Sequence, residues 1–531
     1  MSKLKVLLAA IMLPLFGGAM QAAQASPEKC QNLYQLSDMD HAVEPGVIVP
    51  ASGDIPAHCQ VRGVIDGSIR FEVSMPLEGW QGRMMFLAHG SNAGKIGNTK
   101  DLMKDGFAGA TTDSGHQGTD NIEFIKDHNQ LINFGFRANH LTTLMAKKVI
   151  ATFYGQEVDH SYLQGCSGGG RSALMEALRF PDDYDGIIAG APTLGWIRAT
   201  LPWAVGVTRM QKKNPITAES LPLLAENSKQ KCDKLDGLED GLISNPQACS
   251  LEVLKLDDLQ CKSGQEEGCL TAGQIETASF IYTGLKSDAG EIVYNGIYPG
   301  DEDQGDWMMW VTGIPGARVP APGTPATAYE TMVSMMAHLY HEDPTFKLEE
   351  FDPVEDQAEL ARIAAAVELP APDFTQFHKS NAKLIIYQGW QDAPIRSRDT
   401  IAFMNEAAEL SGGQKVMDKF SRTYMVPNML HCLGGTGGWA ADYITPMVDW
   451  VENGKAPEAI VGTNPGISNW FEAFAIWTNE GVDWYSRAMK AGETKDPATK
   501  STRLLCPYPQ VAKYRGSGDI KDAASYRCDK K

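Results

Sequence analysis

The chain has 531 residues, of which 43% are hydrophobic and 21% are charged, and its formal net charge at pH 7 is −19. This length predicts roughly two to four domains, or one large domain with an insertion, and the composition excludes a mainly disordered chain. So acidic a surface repels phosphate backbones and anionic lipid, which argues against nucleic-acid binding and membrane docking.

Residues 1–25 have the pattern of an export signal. Two lysines among the first five residues precede a short apolar run, and the segment ends on the small-residue cleavage pattern Ala23-Gln24-Ala25. The run is too short to span a bilayer and contains a proline, so a membrane anchor is the weaker interpretation. We expect an exported protein, periplasmic or extracellular, whose mature chain begins near Ser26.

Strand-like and helix-like segments alternate between about residues 60 and 195. The segments 83–88, 107–112, 161–164 and 187–192 have the composition of strands, and 139–154 and 171–180 have helical spacing of apolar residues. Strands that alternate with helices predict a mostly parallel sheet. The pattern resumes near residue 384 with the strand-like segment 384–389.

The segment Gly165-Cys166-Ser167-Gly168-Gly169 fits the motif G-x-S-x-G between a predicted strand and a predicted helix. In that context small residues allow a tight turn that projects the serine hydroxyl above the sheet. A purely structural glycine-rich turn is the alternative.

The motif predicts Ser167 as a nucleophile and the amide of Gly168 as the first donor to an oxyanion. The second donor is expected in the loop after strand 83–88. Gly90 is the choice there, and Ser91 is the neighbouring alternative.

Residues 195–372 differ in character from the segments around them. They contain Pro/Gly-rich stretches and four of the ten cysteines. We interpret them as a lid-like insertion between the first part of a sheet domain, residues 26–194, and its second part, residues 373–531.

Within this insertion, Asp233, Asp236 and Asp240 lie close together in a loop that also contains glycines. Carboxylates at short spacing suit Ca²⁺. The three side chains, with the backbone carbonyls of Leu238 and Leu242, would be its ligands. A solvated acidic turn is the alternative. The ion would be structural, because a serine triad needs no metal.

A serine nucleophile needs a base and an orienting acid, which follow it in the order acid then histidine. Asp392 follows the strand-like segment 384–389 by three residues, whereas Asp399 and Asp418 do not directly follow a strand. Of the 11 histidines, His431 is chosen because it lies in the resumed α/β pattern with room for an acid before it.

The ten cysteines of an exported chain indicate disulfides, and the absence of C-x-x-C and H-x-x-x-H patterns argues against zinc. Proximity favours four pairs: Cys30 with Cys59, Cys232 with Cys249, Cys261 with Cys269, and Cys506 with Cys528. The remaining two, Cys166 and Cys432, are adjacent to Ser167 and His431. A bond between them would hold their Cα atoms within about 7 Å and bring the serine and histidine together.

The sequence resembles the tannase and feruloyl esterase family of secreted serine esterases over nearly the whole mature chain. The resemblance rests on these segments: 165–171, 110–116, 190–192, 233–242, Asp392 and His431-Cys432. It implies an α/β-hydrolase fold with a large inserted lid, a Ca²⁺ ion in the lid and a disulfide from Cys166 to Cys432. It also implies esters of hydroxylated aromatic acids as substrates.

The family includes relatives that hydrolyse a terephthalate monoester, from which this chain departs. Gly168 stands where those relatives have Glu, and Ile395 stands where they have an aromatic residue. We therefore expect a carboxylic-ester hydrolase of feruloyl or galloyl type that acts through an acyl-enzyme.

A terephthalate-type hydrolase, a non-catalytic binding protein and a peptidase are the alternatives to this expectation. The candidates for an aromatic-acid pocket are Trp203, Trp307, Trp310 and Phe374, and for each of them a place in the hydrophobic core is the favoured alternative. The oligomeric state is not predicted.

Overall fold

The computed structural model describes residues 26–118, 122–286, 292–314, 328, 329, 332, 333, 336, 350–352, 356, 360–480 and 500–529. The predicted export signal, residues 1–25, lies outside them. None of the helices within these ranges is long and apolar enough to cross a membrane.

The strands follow one another along the chain as β1 (His41–Val43), β2 (Val47–Val49), β3 (His58–Ile65), β4 (Ile69–Pro76), β5 (Arg83–Ala88), β6 (Phe107–Thr112), β7 (His160–Cys166), β8 (Gly186–Gly190), β9 (Gly284–Lys286), β10 (Ile292–Asn295), β11 (Lys383–Gly389), β12 (Ser421–Val426), β13 (Ala440–Ala441), β14 (Ile460–Asn464), β15 (Ser501–Leu505), β16 (Val511–Tyr514) and β17 (Tyr526–Asp529).

The α-helices are α1 (Pro27–Gln31), α2 (His128–Ile132), α3 (Ala138–Tyr154), α4 (Gly168–Arg179), α5 (Leu201–Lys213), α6 (Leu221–Cys232), α7 (Leu251–Leu254), α8 (Ala272–Thr283), α9 (Ala361–Val367), α10 (Thr375–Lys379), α11 (Ser397–Leu410), α12 (Gln414–Met417), α13 (Ile444–Asn453) and α14 (Trp470–Glu480). Turns of π-helix cover Asn133–Arg137, Trp196–Thr200 and Met308–Thr312. Turns of 3₁₀-helix cover Asn32–Leu36, Lys100–Asp105, Glu123–Lys126, Ala218–Ser220, Asp233–Asp236, Pro246–Ala248, Leu256–Leu259 and Ala523–Ser525.

A ten-stranded sheet forms the centre of the molecule in the order β1-β3-β4-β6-β5-β7-β8-β11-β12, with β2 also paired to β3. The strands from β6 to β12 in this order are parallel, whereas β1 to β4 pair antiparallel, including β4 with β6. This is the α/β-hydrolase arrangement, and the predicted fold class is confirmed. The antiparallel ribbon at the start of the sheet was not predicted.

That ribbon has a local sequence signal. Asp66 and Gly67 join β3 to β4, and both have positive φ angles, 49° and 67°. An Asp-Gly pair between two apolar strands favours a tight hairpin turn with this backbone conformation.

The element boundaries differ from the predictions mainly around Ser167. Strands β5 and β6 cover the predicted residues, but α4 begins at Gly168, three residues before its predicted start at 171. Strand β8 ends at Gly190, because Ala191 has a φ of 34° that no strand residue adopts. The chain therefore turns more sharply at both points than periodicity indicates.

Hydrophobic clusters cover both faces of the sheet. Helices α3 and α4 contribute Ala146 and Leu174 on one face, and α13 contributes Met447 on the other. A third cluster contains Trp203 and Trp307, between β8 and β11 in the chain. The chain thus leaves the sheet after β8 and returns to it with β11, while the predicted domain limits at 194 and 372 stay predictions.

All ten cysteines form disulfides. The five pairs are Cys30–Cys59, Cys166–Cys432, Cys232–Cys249, Cys261–Cys269 and Cys506–Cys528. They are the pairs that spacing and the leftover cysteines indicated. The Cα atoms of Cys166 and Cys432 are 6.1 Å apart, so this bond joins the turn after β7 to the loop after β12.

Candidate active site

Ser167 occupies the turn between β7 and α4. Its φ of 62° and ψ of −120° lie outside the regions that L-residues favour, which is typical of strained functional turns. The backbone N–H of Ser167 donates to Gly190 O at 2.9 Å, and the N–H of Arg171 donates to Ser167 O at 2.9 Å. These bonds hold the strained backbone, and the turn leaves the serine side chain only partly buried.

Three glycines around the serine allow close backbone packing. A Cβ atom would lie 2.5 Å from Gly169 C at position 165, 2.5 Å from Ala88 O at position 169, and 2.2 Å from Gly190 O at position 170. Real Cβ atoms do not approach backbone atoms so closely, so the turn requires glycine at these positions. The glycines of the motif are therefore needed for backbone packing, in addition to the chemistry that the motif predicts for the serine.

The structure brings Ser167, His431 and Asp392 together. Ser167 Oγ is 3.0 Å from His431 Nε2, and His431 Nδ1 is 3.0 Å from Asp392 Oδ2. Asp392 follows β11 and His431 follows the neighbouring parallel strand β12, so both loops leave the same edge of the sheet. A hydroxyl, an imidazole and a carboxylate in this order can remove the serine proton and stabilise the resulting imidazolium.

Opposing effects act on the pKa of His431. Burial lowers it, but the charge and hydrogen bond of Asp392, together with the charge of Asp306, outweigh burial and leave the pKa raised. The imidazole must be neutral to accept the serine proton. Activity that depends on it should therefore fall as the pH drops through this raised pKa.

The acid is fixed by groups that the sequence analysis did not identify. The backbone N–H of Ile395 donates to Asp392 Oδ1 at 2.7 Å, and Gln388 Nε2 donates to Asp392 Oδ2 at 3.0 Å. Gln388 is itself held, because Thr400 Oγ1 donates to its Oε1 at 3.0 Å. Trp470 Nε1 donates to His431 O at 2.9 Å. The Ile395 contact follows from its spacing within one turn, whereas the others have no local sequence signal.

The loop after β5 borders Ser167. A Cβ atom on Gly90 would be 3.0 Å from Cys166 O and 3.7 Å from Ser167 Cβ, and one on Gly168 would be 2.7 Å from Ser91 O. Gly90 and Gly168 thus lie close to each other beside Ser167, and two backbone donors to one oxyanion must be close in this way. Ser91 borders the same space, so the choice of Gly90 over Ser91 stays a prediction.

We expect Gly168→Ala to lower kcat by about 10²-fold, because it would displace the loop that carries the second oxyanion donor, Gly90, while the amide of residue 168 remains. The added methyl group would meet Ser91 O at 2.7 Å and push the loop after β5 away from the nucleophile. Gly195→Ala is a control, because its Cβ would be 3.3 Å from the nearest heavy atom. Equal kcat values for Gly168→Ala and wild type, measured on one ester, would contradict the assigned role of this loop.

Of the four aromatic pocket candidates, Trp310 contacts the triad. Its ring centroid is 5.8 Å from that of His431, with the planes 82° apart. Phe374 packs against Phe377 within a core cluster of the sheet, and Trp203 and Trp307 are fully buried. Phe374, Trp203 and Trp307 are therefore core residues, and only Trp310 of the four remains a candidate for substrate contact.

The predicted calcium loop has suitable donor chemistry. Burial, followed by the charges of Asp240 and Glu239, raises the pKa of Asp233, and burial raises that of Asp236. A backbone amide of the loop also contacts one of these carboxylates, since Gly241 N–H donates to Asp233 Oδ2 at 2.8 Å. Partly buried carboxylates that repel one another favour a cation.

One carboxylate of the same loop, that of Asp240, already pairs with a cationic side chain from β15. Arg503 Nη2 donates to Asp240 Oδ2 at 2.5 Å, and both side chains are almost fully buried. The loop carboxylates also do not converge to within 4.8 Å of one another as ligand atoms around one ion do. The residues fit Ca²⁺ by chemistry, and the ion would have to draw them together.

Among the described residues, one group does bring three ligand atoms within 4.8 Å: His140, Glu176 and Asp183. His140 Nδ1 is 2.7 Å from Asp183 Oδ2, and Lys147 Nζ donates to Asp183 O. Burial and the charge of Asp183 raise the pKa of Glu176 well above its ordinary value. The cluster joins α3 to α4 and to the segment that follows α4.

Comparison with known proteins gives a consistent result. The family model described as Tannase and feruloyl esterase matches residues 55–529. An uncharacterized esterase of Xanthomonas campestris pv. campestris is 29% identical, with 96% of this chain and 93% of that protein covered. The mono(2-hydroxyethyl) terephthalate hydrolase of Piscinibacter sakaiensis is also 29% identical, with coverage of 89% and 85%.

A solved structure has the same fold. Feruloyl esterase B from Aspergillus oryzae superposes with a TM-score of 0.76 at 22% identity, covering 95% of this chain and 100% of that one. At this level of identity the likeness establishes the fold alone.

Proposed function

The chain belongs to the tannase and feruloyl esterase family of carboxylic-ester hydrolases, and from that premise we propose a serine esterase that cleaves esters of hydroxylated aromatic acids. One observation carries the proposal: Ser167 Oγ lies 3.0 Å from His431 Nε2. Asp392 contacts the other ring nitrogen of the same histidine.

In the first half of the reaction Ser167 Oγ attacks the ester carbonyl carbon while His431 Nε2 takes the hydroxyl proton. Asp392 keeps Nδ1 protonated and stabilises the imidazolium. The carbonyl oxygen becomes an oxyanion, which the amides of Gly168 and Gly90 would stabilise. The C–O bond to the alcohol then breaks, and His431 returns its proton to the departing alkoxide.

The second half of the reaction releases the acid. A water molecule attacks the acyl carbon of the Ser167 ester, and His431 takes one of its protons. The same two amides stabilise the second oxyanion. Collapse of the intermediate breaks the bond to Ser167 Oγ, which recovers its proton from His431. No metal or cofactor enters either step.

The substrate class is supported by the family and by Trp310 beside the base. Its indole ring can stack on an aromatic acyl group, since aromatic rings attract one another beyond their buried area. Gly168 and Ile395 differ from the residues expected of a terephthalate monoester hydrolase, which favours feruloyl or galloyl esters. Export is supported by the pattern of residues 1–25 and by five disulfides, which persist in oxidising compartments.

A substrate panel tests this proposal. Wild type and Ser167→Ala are assayed on methyl gallate, methyl ferulate, mono(2-hydroxyethyl) terephthalate and p-nitrophenyl acetate. Serine-dependent turnover of gallate or ferulate well above the acetate is the expected result. Preference for the terephthalate ester would change the acyl group assigned, and turnover of none would favour a binding protein.

We further propose that Asp233, Asp236 and Asp240, with the carbonyls of Leu238 and Leu242, bind a structural Ca²⁺. A ligand bound only to the folded state stabilises it, by about 2.7 kcal/mol at a concentration 100-fold above Kd.

Chelation with EGTA should therefore lower Tm by several degrees, and added Ca²⁺ should restore it. Asp236→Asn should remove this dependence, whereas Asp258→Asn, outside the loop, should keep it. A wild-type Tm that changes neither with EGTA nor with added Ca²⁺ would contradict the proposed site.

A further inference from the structure

A second buried carboxyl group lies beside the acid of the triad. Asp306 is fully buried, and its Oδ2 accepts the backbone N–H of Ala393, the residue after Asp392, at 3.0 Å. Its Oδ1 is also buried, and the backbone N–H of His431 is a second hydrogen-bonding neighbour of the carboxyl group. The triad mechanism above does not use this group.

The segment that carries Asp306 contacts the base as well as the acid. Trp310, in the π-helical turn Met308–Thr312, packs edge-on against the ring of His431. Two residues before Asp306, Gln304 O accepts the N–H of Trp470, whose indole holds His431 O. The segment thus joins the acid loop to the base loop from the lid side.

We propose that Asp306 is a positioning residue of the active site, which holds the acid loop through the backbone of Ala393 and whose carboxylate stabilises the imidazolium of His431 during turnover. It acts through Ala393 and through the electrostatic field at the imidazole, without touching the substrate. This inference rests on the proposed triad and adds to it the group that sets its working pH.

The electrostatics agree with the geometry. Burial, and then the charge of Asp392, raise the pKa of Asp306 to about 7, while the positive charge of His431 opposes the shift. In turn, the charge of Asp306 is among the causes that raise the pKa of His431. Each proton that His431 takes from Ser167 therefore favours ionisation of Asp306, and the ionised carboxylate favours that proton transfer.

Three titratable side chains among the described residues interact electrostatically with Asp306. Asp392 comes from the acid loop, His431 from the base loop, and Tyr329 from the lid, where the charge of Asp306 contributes to a raised tyrosine pKa. Asp392 is the acidic neighbour and His431 the only one of these three that gains positive charge in the reaction. Neutralising Asp306 should accordingly act on His431 in one direction, by lowering its pKa.

The test compares the pH dependence of kcat/KM for wild type and Asp306→Asn on one ester. Asparagine keeps an oxygen for the Ala393 N–H and removes the charge. The acid limb of the profile should move to lower pH by roughly one unit, and kcat on the plateau should fall by about tenfold. An acid limb at the wild-type position would overturn the proposal.

Glu302→Gln is the matched control, since Glu302 is a fully buried carboxyl group four residues earlier that contacts Ser228 and Tyr282 instead of the triad. Its acid limb should stay at the wild-type position, and an equal shift in both variants would reject a specific role for Asp306. If Asp306→Asn does not fold, Asp306→Ser supplies the same comparison. Turnover by Ser167→Ala would instead contradict the triad itself. The failure of the Asp306 proposal and the failure of the proposed function can therefore be distinguished.

Discussion

Ser167→Ala should lower kcat by about 10⁴-fold or more while leaving Tm unchanged. Removal of a triad nucleophile typically leaves only the rate that oxyanion donors and substrate binding provide. The alanine loses only the hydroxyl that faces His431 Nε2 at 3.0 Å, and no backbone contact of the turn. Initial rates on the best ester of the panel, with a thermal melt of each variant, measure both quantities.

Ser172→Ala is the matched control for that variant. Ser172 is a buried serine of α4, five residues after the nucleophile, and it is outside the triad. Its kcat should stay within a fewfold of wild type. Residual turnover by Ser167→Ala near the wild-type rate would mean that another group is the nucleophile.

The double variant Cys166→Ala/Cys432→Ala should lose both stability and activity. The bond closes a segment of 266 residues, for which the chain-entropy estimate is about 5.6 kcal/mol of stabilisation. It also joins the residues next to Ser167 and His431. A displacement of about 1 Å between reacting groups can reduce a rate by roughly 10²-fold. Thermal melts and kcat on one ester measure the two effects.

The pair Cys261→Ala/Cys269→Ala provides the control for that experiment. Its loop of 8 residues predicts a smaller loss, about 2.5 kcal/mol, and it is far from the triad in sequence. The control variant should therefore keep its kcat. Full activity in the Cys166/Cys432 variant would show that the sheet alone aligns the serine and histidine.

Local signals explain which parts of the fold were predictable. The G-x-S-x-G turn, the strands β5 and β6, and the acid three residues after β11 all depend on neighbours in the chain. The parallel sheet then brings the ends of β7, β11 and β12 to one edge, so that three local predictions define one site. The positions of Cys166 and Cys432 gave the same juxtaposition independently.

The remainder of the site depends on contacts between distant segments. In the sequence Gln388 has the character of an ordinary strand residue, and Asp306 that of a polar residue between β8 and β11. The fold then places Gln388 against Asp392 and Asp306 against Ala393. Sequence alone could not show which of the aromatic pocket candidates lie in the core, for a similar reason. Trp203 and Phe374 have the composition expected of a binding site, but large rings also fill cores, and burial decides between the two.

Covalent labelling tests the central claim most directly. Wild-type protein is incubated with phenylmethylsulfonyl fluoride, which sulfonylates activated serines, and the product is digested and examined by mass spectrometry. We predict one adduct per chain, on Ser167, with loss of activity in proportion to labelling and no adduct in Ser167→Ala. Full activity without an adduct, or an inactivating adduct on any other residue, would contradict the assignment of Ser167 as the nucleophile.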